Sequence, residues 1–165
     1  MPKEVRLKSL VEGLLTGRRQ ADAVIALTDV YTGTNDFKDA ADAKAKMKQW
    51  VENERFYPHA AQYEVEAWLL PFWKEIQDWS GGNLTLPGKP ETINHTHPPS
   101  ERIKAIVRQG QKGFRYVKAR DVHRILEKAQ RTRADHALQV AAAACPELKA
   151  FLNTILELSG GQPLP

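Results

Sequence analysis

The sequence predicts an all-α protein, a compact bundle of about seven helices with one long loop rich in proline and glycine in the middle. Two observations favour this class. Apolar residues recur at intervals of three or four along most of the chain, which is the spacing of one face of a helix, and strand-like alternation is scarce. The composition changes abruptly once, between residues 80 and 100, where three glycines and four prolines exclude regular structure.

A tryptophan-rich segment, Pro58 to Trp79, is predicted to form the central helix around which the other helices pack. It contains three of the four tryptophans of the chain. Six of its apolar residues share one helical stripe: Val65, Trp68, Leu69, Phe72, Ile76 and Trp79. Because Pro71 removes a backbone donor and clashes with the preceding turn, we expect a kink or a break there.

The residues before this segment are predicted to form three further helices. Residues 4 to 16 and 20 to 31 each carry an apolar stripe, and the short joint between them predicts an antiparallel hairpin. Asn35 or Asp36 is the predicted cap of the third helix, whose interior is rich in strong helix formers.

After the loop, the chain is predicted to form helices from Ser100 to Gly110, from about Ala119 to Arg131, from Ala134 to Cys145 and from Pro146 onward. The predicted organisation is therefore an N-terminal half with the aromatic core helix, a loop, a basic helical half and a flexible tail. Their bounds are 1–79, 80–100, 101–158 and 159–165.

Composition narrows the function classes. Cys145 is the only cysteine, so no intramolecular disulfide can form, and a reducing, cytoplasmic location is expected. We predict a small packed side chain at this position rather than a nucleophile. No apolar run is long enough to cross a bilayer, so no membrane partner is expected. Dinucleotide, phosphate-loop and serine-hydrolase motifs are absent from the sequence, so no cofactor and no catalytic residue is predicted.

Charge is distributed unevenly along the chain. The net charge is +4, yet the stretch from Ser100 to Arg133 carries eleven basic and three acidic residues, a local charge of +8. The remainder of the chain is therefore acidic overall, at −4. Such asymmetry indicates a surface for an anionic partner, which is nucleic acid, another polyanion or an acidic protein surface.

The first hypothesis is a non-catalytic binding or regulatory protein that engages nucleic acid or a nucleoprotein assembly through this basic stretch. Basic side chains in register along a helix neutralise phosphates. The predicted contact residues are Arg102, Arg108, Arg115, Lys118, Arg120, Arg124, Lys128 and Arg131.

Other interpretations remain open. The basic stretch is also compatible with a solvated face that only balances the acidic helices. The second hypothesis is an adaptor or inhibitor that binds an acidic protein surface, either as a monomer or as a homodimer through the aromatic central helix.

A pair of histidines in the loop gives a third hypothesis, a metal-dependent hydrolase-like protein. His95 and His97 are separated by one residue, so both imidazoles can reach one ion when the backbone is extended. His59, His123, Glu64 or Glu66 would then complete the ligand set. The alternative is that the two loop histidines bind no metal and have ordinary polar partners.

Overall fold

The computed structural model describes residues 3–31, 36–86, 88–92, 97–110, 115–133 and 136–165. These residues are mostly helical, with two strands between the first helices. The α-helices are α1 (Lys3–Thr16), α2 (Ala40–Trp50), α3 (Trp73–Ser80), α4 (Pro99–Gly110), α5 (Lys118–Arg133), α6 (Ala137–Ala144) and α7 (Pro146–Leu158). The strands are β1 (Val24–Asp29) and β2 (Phe56–Ala61), and 3-10 helices span Val65–Phe72 and Pro90–Thr92.

The prediction of an all-α fold is wrong, because β1 and β2 pair as a parallel two-stranded sheet and make the protein mixed α/β. Parallel strands need a long crossover connection, and α2 provides it. The register runs from Val24 opposite Phe56 to Asp29 opposite Ala61. The predicted hairpin of the first two helices therefore does not exist.

The segment predicted as the second helix is β1, with the sequence VIALTD. Val24, Ile25 and Thr28 are β-branched, and such side chains favour extended backbone. A short apolar run of this kind fits a buried strand as well as a helix, so periodicity alone could not separate the two.

The predicted central helix is also divided differently. Its first residues, through Ala61, belong to β2, where Pro58 is tolerated because each strand of a two-stranded sheet has an edge outside the ladder. The 3-10 helix Val65–Phe72 follows, and α-helical geometry begins only at Trp73. Pro71 lies inside the 3-10 helix, so the predicted break just before it is wrong in position, and the change of helix geometry comes after Phe72.

The main core contains residues from before and from after the proline-rich loop. Trp68 and Phe72 are buried, as predicted, although Trp68 belongs to a neighbouring cluster beside Cys145. The main cluster consists of Leu69, Leu70, Phe72, Ile76, Ile103, Ile106, Val107, Ile125, Ala129 and Ala141. This packing fixes α4 and α5 against the 3-10 helix that follows β2.

A second cluster lies where α1 and α2 cover the sheet, and it contains Val11, Leu15, Met47, Val51 and Phe56. α2 and α7 both contact β2. Among the described residues, no helix is both long enough and apolar enough to cross a membrane.

Candidate functional site

The carboxyl ends of β1 and β2 lie at the same edge of the sheet, because the strands are parallel. In open α/β sheets, ligands bind outside this edge. Asp29 is the last residue of β1, and Glu64 and Glu66 follow the end of β2. This edge therefore brings together carboxylates that are 35 or more residues apart in the chain.

A strained residue shapes the turn after β2. Tyr63 has a φ of 73°, in the left-handed region that a bulky side chain rarely adopts. Its carbonyl oxygen accepts a hydrogen bond of 2.9 Å from the Tyr31 amide, and the two rings stack with centroids 5.0 Å apart. Strained backbone of this kind clusters at functional sites.

The turn after β2 brings the chain back to the end of β1. There the Asp29 carboxylate contacts Val65 on one side and Lys118 on the other. The Val65 amide donates a hydrogen bond of 2.8 Å to Asp29 Oδ1, and Lys118 Nζ lies 3.7 Å from Oδ2. Lys118 Nζ also lies 2.9 Å from Glu66 Oε2, whose side chain is only 3% exposed. The lysine thus bridges two carboxylates from different elements.

The residues of this strand-end site are Asp29, Glu64, Glu66, Tyr116 and Lys118. Among the described residues, the Glu66 Oε2 atom and the Tyr116 hydroxyl are buried and make no hydrogen bond of good geometry. The contact between Lys118 and Glu66 is therefore an ion pair rather than an aligned hydrogen bond.

The protonation states of the site follow from its charges. Burial acts to lower the pKa of Lys118, but the carboxylates of Glu66 and Asp29 outweigh it and raise this pKa above its ordinary value. Burial, reinforced by Glu66 and Asp121, raises the pKa of the Tyr116 phenol. At neutral pH the site therefore holds a fixed ammonium cation beside a protonated phenol.

Glu64 connects the site to α4. Its Oε2 atom accepts a hydrogen bond of 2.9 Å from the Ser100 amide in the first turn of that helix. A carboxylate is stabilised at a helix N-terminus by the amides that have no partner within the helix. Because α4 begins at Pro99, Ser100 lies within the first turn, and its amide is satisfied by a carboxylate from another element.

The predicted nucleic-acid residues lie next to this site, on α4, α5 and the segment between them. In the described part of the chain, four of them pair with a carboxylate, and one of the four is Arg124, 3.7 Å from Asp121. Lys118 belongs to the strand-end site, Arg108 lies 3.4 Å from Glu101, and Arg120 lies 2.7 Å from the buried Asp121. Arg102 Nε donates a hydrogen bond of 3.3 Å to the His97 carbonyl oxygen.

Asp121 organises the start of α5. It is fully buried and accepts hydrogen bonds from Arg120 Nε at 2.7 Å and from the Val117 amide at 2.6 Å. Burial acts to raise the pKa of Asp121, but these hydrogen bonds outweigh it and hold this pKa below its ordinary value. The carboxylate is therefore ionised at neutral pH and fixes the backbone that precedes the helix.

Three of the predicted residues form a basic ridge on α5: Arg124, Lys128 and Arg131. Spacings of four and three residues place them on one face of the helix, while Ile125 and Ala129 face the core. Arg124 Nη1 lies 3.7 Å from Asp121 Oδ1, a looser contact than that of Arg120. The prediction that these cations share a face thus agrees with the helix geometry.

A basic cavity lies between α4 and the residues before α5. Its volume is about 310 Å³, and the described residues that line it are Lys104, Arg108, Arg115 and Tyr116. Lys104 was absent from the predicted contact residues. Its spacing of four residues from Arg108 on a helix was the signal that would have included it.

An apolar groove bears on the homodimer hypothesis. It has a volume of about 320 Å³ and lies between the 3-10 helix Val65–Phe72, α5, α6 and α7. Leu126 and Leu138 line it and are 45% and 51% exposed. These side chains, rather than the tryptophans of the predicted central helix, are the exposed apolar residues there.

The predicted metal pair is only partly described, because His95 lies outside the described residues. His97 is exposed, and His59 is buried with Nε2 3.0 Å from Thr154 Oγ1. Within the described ranges, no group of three or more His, Cys, Asp or Glu side chains is arranged to hold a metal ion. Cys145 is buried as predicted, and burial raises the pKa of its thiol to about 12.

Comparison with known proteins identifies one family. A family model described as a domain of unknown function, DUF4276, matches residues 3–156. The chain belongs to the DUF4276 family. No curated protein and no solved structure matches the chain. The strand-end site, the basic ridge and the basic cavity all fall inside the DUF4276 match, so the function has to be inferred from their geometry.

Sequence reasoning did not assign the strand-end site. Asp29 and Tyr116 were not predicted as site residues, and Glu64 and Glu66 were considered only as additional metal ligands. The available signal was the position of Asp29 directly after a short apolar run rich in β-branched residues, which is typical of the end of a buried strand.

Proposed function

We propose that this DUF4276 protein binds nucleic acid through the basic surface formed by α4, α5 and the residues just before α5. The observation that carries the proposal is the convergence of Lys104, Arg108 and Arg115 on one cavity. Cations from two elements meet there; the carboxylates of Glu66 and Asp121 are buried, and the exposed Glu101 pairs with Lys104 and Arg108 and leaves a net positive charge.

The burial of these carboxylates matters for binding. A carboxylate in the interior orients the cations above it without presenting negative charge to a partner. Arg124, for example, lies 3.7 Å from Asp121 and remains 48% exposed. A guanidinium has five donors, so one loose carboxylate contact leaves donors for phosphate oxygens.

The test is salt-dependent binding to a labelled duplex. The variant combines Arg124→Glu, Lys128→Glu and Arg131→Glu, and we expect it to lose at least roughly tenfold in affinity, with a shallower salt dependence, because each lost phosphate contact removes about 0.9 from the logarithmic slope. Arg120 is left unchanged because its removal would leave the buried Asp121 with fewer partners.

The matched control reverses two exposed cations of α1, Arg6→Glu and Lys8→Glu. This control should bind almost like the unchanged protein. Equal affinities for the ridge variant and the control would refute the proposal.

A second candidate function, an enzyme acting at the strand-end site, is favoured by the arrangement of Lys118, Glu66 and Tyr116. A fixed ammonium stabilises negative charge that develops in a transition state, and a protonated phenol donates a hydrogen bond or a proton. Asp29 or Glu66 would serve as the base. The adjoining basic surface makes the bound polyanion the expected substrate.

The test for this candidate is cleavage of a labelled oligonucleotide, assayed with and without magnesium, by the unchanged protein and by Glu66→Gln. Cleavage that the substitution abolishes, with duplex affinity retained, supports the enzyme. Equal cleavage by both proteins, or none by either, counts against it.

A further inference from the structure

The basic cavity is concave, whereas a surface that follows the backbone of a nucleic-acid strand is a linear row of cations. The phosphates of a continuous strand can be followed by a row of cations such as Arg124, Lys128 and Arg131, of which Lys128 is half-buried. The cavity instead surrounds a volume of about 310 Å³ with side chains from two elements. This size is at the lower end of the range for small-ligand pockets, about 300–1,000 Å³.

We propose that the basic cavity binds a phosphomonoester group, the terminal phosphate of a nucleic-acid strand. The inference rests on the proposed nucleic-acid binding and adds that the protein recognises strand ends. A phosphomonoester carries about −1.5 to −2 charges near pH 7 and offers three strong acceptor oxygens, more than an internal diester does. Three cationic side chains match that demand.

The charge of the cavity supports a dianion. Lys104 and Arg108 lie one helical turn apart on α4, and Arg115 lines the cavity from the residues before α5. Glu101 lies 2.6 Å from Lys104 Nζ and 3.4 Å from Arg108 Nη2. With Glu101 included, these four groups carry a charge of +2.

Glu101 is an internal competitor of the proposed ligand. Its side chain is 49% exposed, and exposed ion pairs are weak, so a dianion can replace it as the partner of Lys104 and Arg108. Removing the Glu101 charge should therefore strengthen phosphate binding. A gain of binding is informative because misfolding cannot produce it.

The wall formed by Arg115 and Tyr116 is held in place before any ligand binds. The Arg115 carbonyl oxygen accepts a hydrogen bond of 3.1 Å from Arg120 Nη2, and the Val117 amide donates one of 2.6 Å to Asp121. The Tyr116 ring packs against the main core. A preformed wall reduces the entropy that binding would cost.

The experiment measures the affinity of three single-stranded oligonucleotides of one sequence, with a 5′-phosphate, a 3′-phosphate or hydroxyl groups at both ends. We expect one phosphorylated form to bind roughly tenfold more tightly than the hydroxyl-ended form, since a charge-assisted contact contributes about one factor of ten. Added inorganic phosphate should lower the affinity of the preferred phosphorylated strand to that of the hydroxyl-ended strand. It should leave the affinity of the hydroxyl-ended strand unchanged.

Variants assign the preference to the cavity. Arg108 and Arg115 belong to the proposed binding surface, so Arg108→Gln and Arg115→Gln should weaken all three oligonucleotides, but they should lower the affinity for the preferred phosphorylated form by a further factor of roughly ten and so remove the preference. Glu101→Gln should increase the preference. Arg131→Gln on the ridge is the matched control and should weaken all three oligonucleotides equally. Circular dichroism checks that each variant is folded.

The outcomes separate this inference from the proposed function. Equal affinity for all three oligonucleotides, or a preference that survives in both Arg108→Gln and Arg115→Gln, overturns the inference while nucleic-acid binding stands. If no oligonucleotide binds, the proposed function fails, and calorimetry with phenyl phosphate tests the cavity alone. Binding of phenyl phosphate that Arg115→Gln abolishes supports the phosphomonoester site, and no binding overturns it.

Discussion

The strand-end site and the basic ridge are adjacent and both charged, yet they differ in burial. In the strand-end site, Lys118 bridges Asp29 and a Glu66 side chain that is only 3% exposed. On the ridge, Arg124 is 48% exposed and its nearest carboxylate is 3.7 Å away. Removing one partner of a buried pair costs about 3–5 kcal/mol, whereas exposed pairs contribute about 0–1 kcal/mol.

Basic residues that look alike in the sequence therefore have different roles in the strand-end site and on the ridge. The cations of the ridge are available to a partner because the fold hardly depends on them. Lys118, by contrast, provides the positive charge that allows the Glu66 carboxylate to be buried. Three substitutions test this comparison, in order of decreasing effect on the free energy of unfolding.

The largest effect is expected for Lys118→Met, which keeps the length of the side chain and removes its charge. Glu66 would then be buried without its cation, and we expect a loss of about 3 kcal/mol, at the lower end of the range because Lys118 is itself half exposed. Urea denaturation at pH 7 measures it. The double variant with Glu66→Met should recover most of the loss, and a single variant as stable as the unchanged protein would contradict the comparison.

An intermediate effect is expected for Asp121→Asn, about 2 kcal/mol at pH 7, because the amide loses the negative charge and has one acceptor oxygen, so its NH2 group would face a donor of Arg120 or the Val117 amide. The pKa of Asp121 is lowered in the folded protein, so its contribution is present above the ordinary value of 3.8 and is lost as pH falls below it.

Measuring the free energy of unfolding at acid pH isolates the contribution of the Asp121 charge. Stability measured between about pH 5 and pH 2 should fall more steeply for the unchanged protein than for Asp121→Asn, because the variant lacks one of the carboxylates that must be protonated. Glu75, whose pKa is also lowered despite its burial, by Arg133, remains in both proteins and gives the common background. Parallel pH profiles would show that Asp121 contributes nothing through its charge.

The smallest effect is expected for Arg131→Gln on the ridge. Its side chain is exposed, and exposed substitutions of this kind change stability by less than about 0.5 kcal/mol. The midpoint of urea denaturation should stay the same while duplex binding weakens. A loss above about 1 kcal/mol would mean that the ridge is structural and would remove the contrast with the strand-end site.

Local patterns in the sequence predicted much of the helical structure. The helices of the C-terminal half and the burial of Phe72 and Ile76 follow from the spacing of apolar residues. The shared face of Arg124, Lys128 and Arg131 follows from the same spacing. Each of these features depends on residues that are close together in the chain.

The sheet and the strand-end site depend on contacts that local patterns do not contain. β1 pairs with β2 about 30 residues later, and each strand is short enough to fit a helical pattern as well. Glu66 and Asp121 are ordinary surface residues by type, and only the packing of distant elements buries them. The site could not be predicted before the parallel register was known.

Tyr116 gives the two neighbouring sites a common wall. Its ring lines the basic cavity, while its buried hydroxyl lies in the field of Glu66 and Glu64 in the strand-end site. Any occupant of the cavity that shifts this ring changes the surroundings of those carboxylates. By thermodynamic reciprocity, a ligand at the sheet edge would then change the affinity of the cavity by the same factor, with Tyr116 as the side chain that the two sites share.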